Sequence, residues 1–293
     1  MLPAFLTRRF QTSVSTILLL SGICSSEPLA AGQSLSPPLL ERAIAVSKSL
    51  ETGNPRPIAS YIDRNQYIQH NLQIADGHNA IAAVARSLHL STTRVNPIRA
   101  FQDGDYTFVQ NDYFLAPFGG PLIGWEVLRW KNGRAVEHWD NLQPKPAAAN
   151  RSGHTMIDGD TTTADLGKTT ENKRLVENFE HDILIDGSRK RLPLYFDRNR
   201  LIQHDPLMRD NVTGFTDTLD KWAKDGTPMT YTNIHKVLGD GNFVLSLSEG
   251  MRLGRHVAFF DLFRTEKGKL AEHWDVIQDI PQRKVWKNDN GKF

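Results

Sequence analysis

A chain of 293 residues that is 39% hydrophobic, 23% charged and 9% aromatic has the makeup of a soluble globular protein, which excludes a disordered, collagen-like or many-span membrane protein. Its 35 Lys+Arg against 33 Asp+Glu leave a net charge of +2, too even a balance to hold nucleic acid or an anionic membrane surface. A single cysteine, Cys24, sets aside thiol catalysis, iron–sulfur clusters and Cys-based zinc sites.

The first 31 residues read as a secretory signal peptide. Arg8 and Arg9 precede a mostly apolar run from Val14 to Ile23, and small residues at Ala30 and Ala31 offer a cleavage point. That run is far shorter than the ~20 residues a bilayer-spanning helix needs, so the expectation is an exported chain, periplasmic or secreted, with no membrane attachment after cleavage.

The rest of the chain is one unit written twice. Tyr61-Ile62-Asp63-Arg64-Asn65 through Gln69-His70-Asn71 returns as Tyr195-Phe196-Asp197-Arg198-Asn199 through Gln203-His204-Asp205, 134 residues later. Gly133 through Glu137-His138-Trp139-Asp140 returns as Gly268 through Glu272-His273-Trp274-Asp275, 135 later. A period this long makes each copy a complete domain with its own core. The expected limits are 37–145 and 171–282, joined by a Pro-, Ala-, Thr- and Gly-rich linker at 146–170 and followed by a polar tail, 283–293, of the kind that is usually loose.

Within each copy helices precede strands. Leu39, Leu40, Ala43, Val46 and Leu50 recur at three- and four-residue spacing, as do Leu175, Val176, Phe179, Ile183 and Leu184, and a second helical pattern runs over 78–90 and 215–224. Asp103-Gly104-Asp105, Asn132-Gly133, Asp240-Gly241-Asn242 and Lys267-Gly268 then punctuate strand-prone runs. Such segregation predicts an α+β fold, helices packed on one face of a curved antiparallel sheet, in two tandem domains. No Gly-rich phosphate loop and no Gly-x-Ser-x-Gly turn interrupts it.

The last strand of each copy carries the chemistry. Alternation puts His138 with Asp140 on one face and Glu137 with Trp139 on the other, and likewise His273 with Asp275 against Glu272 with Trp274. A carboxylate facing a concave interior would lose solvation and become a proton acceptor near neutral pH, with the imidazole donating beside it. The same pair would equally serve as partners in a hydrogen-bond network. Trp139 and Trp274 read as packing residues at a sheet-to-sheet contact. His70 and His204 are candidate donors at the pocket rim, or caps. Glu126 and Asp261, on the penultimate strand, are candidate substrate contacts, or ion-pair partners of Arg129 and Arg264. His70, His138 and Asp140, or His204, His273 and Asp275, would make a two-His-one-carboxylate metal set, but no close His-x-His or His-x-x-x-His spacing supports it, and no metal or other cofactor is expected.

The pairing of Tyr67-Ile68-Gln69-His70-Asn71 with Glu137-His138-Trp139-Asp140-Asn141-Leu142-Gln143, repeated at Leu201 to Asp205 and Glu272 to Gln278, resembles the SnoaL-like polyketide cyclase group of the nuclear transport factor 2-like superfamily. The resemblance spans 39–145 and 171–282. It implies a cone-shaped domain whose concave sheet and helices enclose a pocket for a hydrophobic small molecule. It further implies pairing through the outer sheet face, either between the two domains or in a homodimer. It also implies cofactor-independent acid/base catalysis of an aldol condensation, cyclisation or isomerisation, which falls on Asp140 and Asp275 with His138 and His273 assisting. Gln110-Asn111-Asp112 and Leu247-Ser248-Glu249 stand where relatives often carry a His-x-His. A non-catalytic binding module or a purely structural domain is the competing reading.

Overall fold

The computed structural model describes residues 38–293; the signal-peptide segment lies outside the described residues. Copy 1 begins with α1 (Leu39–Thr52), entered from Pro38 and stopped at Gly53, whose left-handed backbone returns its N–H to Ser49 O. A short α2 (Arg56–Tyr61), a two-residue β1 (Ile68–Gln69) and α3 (His78–His89) come next. Four long strands complete it: β2 (Thr93–Asp103), β3 (Tyr106–Leu115), β4 (Gly120–Lys131) and β5 (Arg134–Pro144). Copy 2 repeats the order with α4 (Thr169–Phe179), α5 (Leu192–Tyr195), β6 (Ile202–Gln203), α6 (Val212–Lys224), β7 (Thr230–Asp240), β8 (Phe243–Arg252), β9 (Arg255–Glu266) and β10 (Lys269–Asp279).

Each copy is a mixed α+β unit with helices against a five-stranded sheet, ordered β1-β5-β4-β3-β2 and β6-β10-β9-β8-β7. The long strands form an antiparallel meander. The turn before each last strand uses positive φ at both central residues, Asn132-Gly133 and Lys267-Gly268, the geometry that matches strand twist. The short strand β1 runs parallel to β5, pairing Gln69 with His138, and β6 does the same with Gln203 and His273. Sequence periodicity anticipated neither this parallel edge nor α2 and α5, which are only six and four residues long.

One difference between the copies begins in the first helix. Ala43 and Val176 stand 133 apart and both are buried, whereas Gly53 and Gly187 stand 134 apart. The extra residue falls where α4 continues as a π-helical turn, Glu180–Ile185, a wider turn that absorbs one inserted residue.

Three sets of contacts hold the molecule together. The concave face of each sheet packs on its own helices, with Ile58, Ile81, Leu128 and Trp130 in copy 1 and Phe179, Phe215 and Phe263 in copy 2. The outer faces share one cluster that includes Trp125, Trp139, Trp274, Phe108 and Phe260. Its contacts obey an approximate two-fold: Ile277 N–H donates to Gln143 Oε1 at 2.8 Å and Leu142 N–H to Gln278 Oε1 at 3.2 Å. Arg99 of β2 lies 4.3 Å from the Trp274 ring centre, and Lys236 of β7 lies 4.5 Å from that of Trp139.

The third set comes from the segments after each last strand, which cross to the other copy. The stretch expected as a linker sends Met156 into the shared core and Asn150 Nδ2 to Gln203 O at 2.7 Å. The tail sends Asn288 Nδ2 to Asn71 O at 2.8 Å and Ile74 O at 2.9 Å. Backbone donors and acceptors satisfied in this way hold the tail in place despite its polar composition.

Candidate functional site

Strand alternation keeps His138 and Asp140 together on the concave face of β5 and brings Glu126 of β4 beside them, since Glu126 pairs across from Asp140. These three side chains form the floor of a cavity of about 190 Å³. Its walls are mostly apolar: Leu50 of α1, Ile81, Val84 and Leu88 of α3, Leu128 of β4, and Tyr67.

Hydrogen bonds assign the protons on this floor. His138 Nδ1–H donates to Gln69 Oε1 at 2.8 Å, an oxygen that also takes the Asn71 N–H, and Nε2–H donates to Glu126 Oε2 at 2.5 Å. Burial by itself would lower the imidazole's pKa, but the Glu126 hydrogen bond and the Glu126 and Asp140 charges outweigh it, and His138 is held above its ordinary value. Glu126 Oε1 accepts from the Tyr113 hydroxyl at 2.9 Å, which in turn accepts from Asn111 Nδ2 at 3.0 Å. Burial, followed by the Glu126 charge, pushes the Tyr113 phenol well above its usual range, so it stays a donor. Tyr113 fits because β4 has Gly124 there: a Cβ would stand 2.2 Å from the Tyr113 ring.

Asp140 is held differently. Its Oδ2 accepts from Asn71 Nδ2 at 2.6 Å, while Oδ1 is buried without a hydrogen-bond partner. A carboxylate fixed through one oxygen, with the other unsatisfied beside an apolar hollow, is geometrically a proton acceptor or an anchor for a polar ligand atom.

Copy 2 builds the same floor and fills the space above it. The matching hollow measures about 10 Å³. Phe179 stands where copy 1 has Val46, Phe215 where it has Ile81, Phe263 where it has Leu128, and Met208 where it has Ile74. Phe179 meets Phe196, Phe215 and Phe263 at 5.4, 6.2 and 5.5 Å between ring centres. The tyrosine over the second carboxylate changes strand: Val95 and Tyr113 of copy 1 become Tyr231 and Gly250, and Tyr231 donates to Asp261 at 3.0 Å. His273 repeats the bonds of His138, to Gln203 Oε1 at 2.9 Å and Asp261 Oδ1 at 3.0 Å.

The acid is altered as well. Asn71 becomes Asp205, so the amide that donated to Asp140 is replaced by a second carboxyl. Burial first, then the charges of Asp205 and Asp261, hold Asp275 well above the carboxylate range, as a protonated acid. A third carboxyl, Glu180, stands where copy 1 has Ser47. It accepts from Ser246 and, at 3.1 Å, from Ser248; burial and the Asp261 charge push it up to about 8.

No protein-family model and no curated protein matches this chain. Among the solved structures it resembles are proteins named as SnoaL-like, as polyketide cyclases and as nuclear transport factor 2-like. A presumed polyketide cyclase from Bacillus cereus is 14% identical with a TM-score of 0.32, over 36% of this chain and 74% of that one. A presumed isomerase of the SnoaL-like family from Agrobacterium tumefaciens is 14% identical with a TM-score of 0.30, over 35% and 95%. A protein with a ketosteroid isomerase-like fold from Catenulispora acidiphila, solved in complex with trimethylamine, is 16% identical with a TM-score of 0.30, over 34% and 83%.

Several residue assignments read from the sequence need correction. His70 and His204 do not reach the pocket. Each lies on the outer face, stacked on Trp139 or Trp274 at 4.8 and 4.5 Å, with Nε2 2.9 Å from Glu137 or Glu272. The reason is alternation on β1 and β6: Gln69 and Gln203 face inward, which turns the next residue out. This also dissolves the metal set of His70, His138 and Asp140 and its copy 2 equivalent. Glu126 and Asp261 do not pair with Arg129 and Arg264, which bind Glu137 and Glu272 outside at 2.7 Å. Asn71, Tyr67 and Tyr113 were missed as site residues. Asn71 closes a repeated string, and its change to Asp205 was the available signal.

Proposed function

We propose that copy 1 is a cofactor-independent acid/base catalyst that enolises a small, largely apolar carbonyl compound, and that copy 2 is its filled structural partner. In this reading Asp140 Oδ1 removes a proton next to the carbonyl, and the enolate oxygen is met by the hydroxyl of Tyr67, which lines the same hollow. The proton then returns from Asp140 to a neighbouring carbon, an isomerisation, or the enolate attacks a second carbonyl, an aldol closure. The observation that carries the reading is Asp140 Oδ1, buried without a hydrogen bond, beside a hollow of about 190 Å³, against about 10 Å³ beside Asp275. Sheet-to-sheet pairing within one chain is part of this proposal, as is export through the signal-like first 31 residues, which N-terminal sequencing of the mature protein would check.

The test is hydrogen–deuterium exchange of small ketones and β-dicarbonyls, followed by NMR. Asp140→Asn should reduce catalysed exchange by at least about 100-fold, and Asp275→Asn should leave it within about twofold. Equal rates for wild type and Asp140→Asn reject the base. A second reading, a binding module for a hydrophobic small molecule, is favoured by the apolar walls. It predicts saturable binding of such compounds with no exchange in any variant.

A further inference from the structure

We propose that the C-terminal tail beyond copy 2 is a working part of the copy 1 cup, with Lys292 and Asn288 as positioning residues that act on Asp140 through its main chain and through the loop bearing Asn71. This rests on the reading of copy 1 as the acid/base site.

Lys292 lies in a polar stretch, yet only 6% of it is exposed. Its ammonium donates to Asp140 O at 2.5 Å and to Gln278 Oε1 at 3.1 Å, and lies 3.7 Å from Asp140 Oδ1. Burying an ammonium costs several kcal/mol unless charge and hydrogen bonds compensate, so a tail that served only to cover apolar surface would not place one here. Burial lowers the Lys292 pKa, and the charges of Asp140 and Glu126 work against that.

The same tail holds the loop that carries Asn71. Lys287 N–H donates to Leu72 O at 2.9 Å, Asn288 Nδ2 to Asn71 O and Ile74 O, and Asn290 Nδ2 to Gln69 O at 3.1 Å. Gly291 O takes the Nδ1–H of His70 at 3.0 Å. Every residue of 69–72, together with Ile74, is therefore fixed from outside, and this stretch supplies both the Gln69 oxygen on His138 and the Asn71 amide on Asp140. In copy 2 the linker's Asn150 clamps the equivalent loop, but Asp275 faces Asp205 there rather than an ammonium.

The full chain is tested with Lys292→Met, Lys292→Arg and Asn288→Ala. Two measurements are made: the NMR signal of the Asn71 side-chain amide, and cyclohexanone α-proton exchange resolved into kcat and KM. Lys292→Met should move the Asn71 signal and lower kcat about tenfold with KM within about twofold, and Lys292→Arg should restore most of the loss. Asn288→Ala, which removes no charge, should loosen amide protection over 69–74 and lower kcat with Lys292 in place; it decides the matter if Lys292→Met does not fold. Folded variants with an unmoved Asn71 signal and wild-type kcat overturn the proposal. Absence of exchange in the wild type itself would fail the acid/base reading, and the Asn71 signal would still decide whether the tail positions the cup.

Discussion

An amide-to-carboxyl change sets the two aspartates apart chemically. Asn71 has one oxygen to cap its turn, accepting from Gln73 N–H at 2.9 Å, and an NH₂ left over for Asp140. Asp205 caps the same turn at Leu207 N–H, 2.6 Å, but has no donor left, so Asp275 must bring its own proton. Glu180 extends the pattern into a measurable pH dependence. Its folded pKa is raised to about 8, against roughly 4.3 for an unfolded glutamate, so the native state holds a proton that the unfolded chain releases. Stability should therefore fall as pH rises from about 4.3 to about 8. Glu180 faces Asp261, Ser246 and Ser248, and Glu180→Gln should flatten that fall. Urea unfolding at pH 5 and pH 8 reads the difference, and a variant that keeps the wild-type slope would place the titration elsewhere. That His138 and Asp140 share one face was legible from alternation alone, which does not say whether that face is the concave one. The outward direction of His70 was not, because it depends on a two-residue parallel strand too short to leave a periodic pattern.

Side-chain bulk above the floor decides whether a cup is hollow. The floor residues pair in the same register in both copies, while the filling comes from Phe179 of α4, Phe215 of α6, Phe263 of β9 and Met208 of the loop before α6. Ile81→Phe on α3 copies the residue α6 carries at Phe215. Entering a space of about 190 Å³, it should abolish small-ketone binding and exchange while leaving the melting temperature unchanged or higher. The converse change, Phe215→Ala, should cost about 3–5 kcal/mol, read by urea unfolding, because it empties a packed aromatic cluster. Helix–helix–sheet order was plain in the sequence from periodicity and Asx-Gly turns. That one copy would be hollow was not, since Val46, Ile81 and Leu128 against Phe179, Phe215 and Phe263 are all apolar and differ only in volume, which a hydrophobic pattern does not record.

At the scale of the whole molecule the two sheets share their largest buried cluster, and the crossing segments tie each copy's loop to the other's trailing chain. Cooperative unfolding should result: intrinsic fluorescence and far-ultraviolet circular dichroism should report one coincident transition, not two. Trp274→Ala, which removes a fully buried ring, its Nε1–H bond to Asp158 O and the Arg99 contact, should lower that single transition by about 3–5 kcal/mol. Two separated transitions in the wild type would show that the halves fold independently. The tandem repeat announced two units from their spacing. The exchange of trailing segments could not be foreseen, because its contacts are asparagine amides meeting main-chain carbonyls, and any polar stretch offers those.

Covalent fusion frees the halves from the constraint that binds identical subunits. In a dimer of one gene product, a bulky ring that plugs one chamber plugs both, and a lysine delivered to one acid is delivered to its twin. Here a single reading frame holds two divergent drafts of the same vessel, so aromatic bulk occupies one chamber while the other keeps its void.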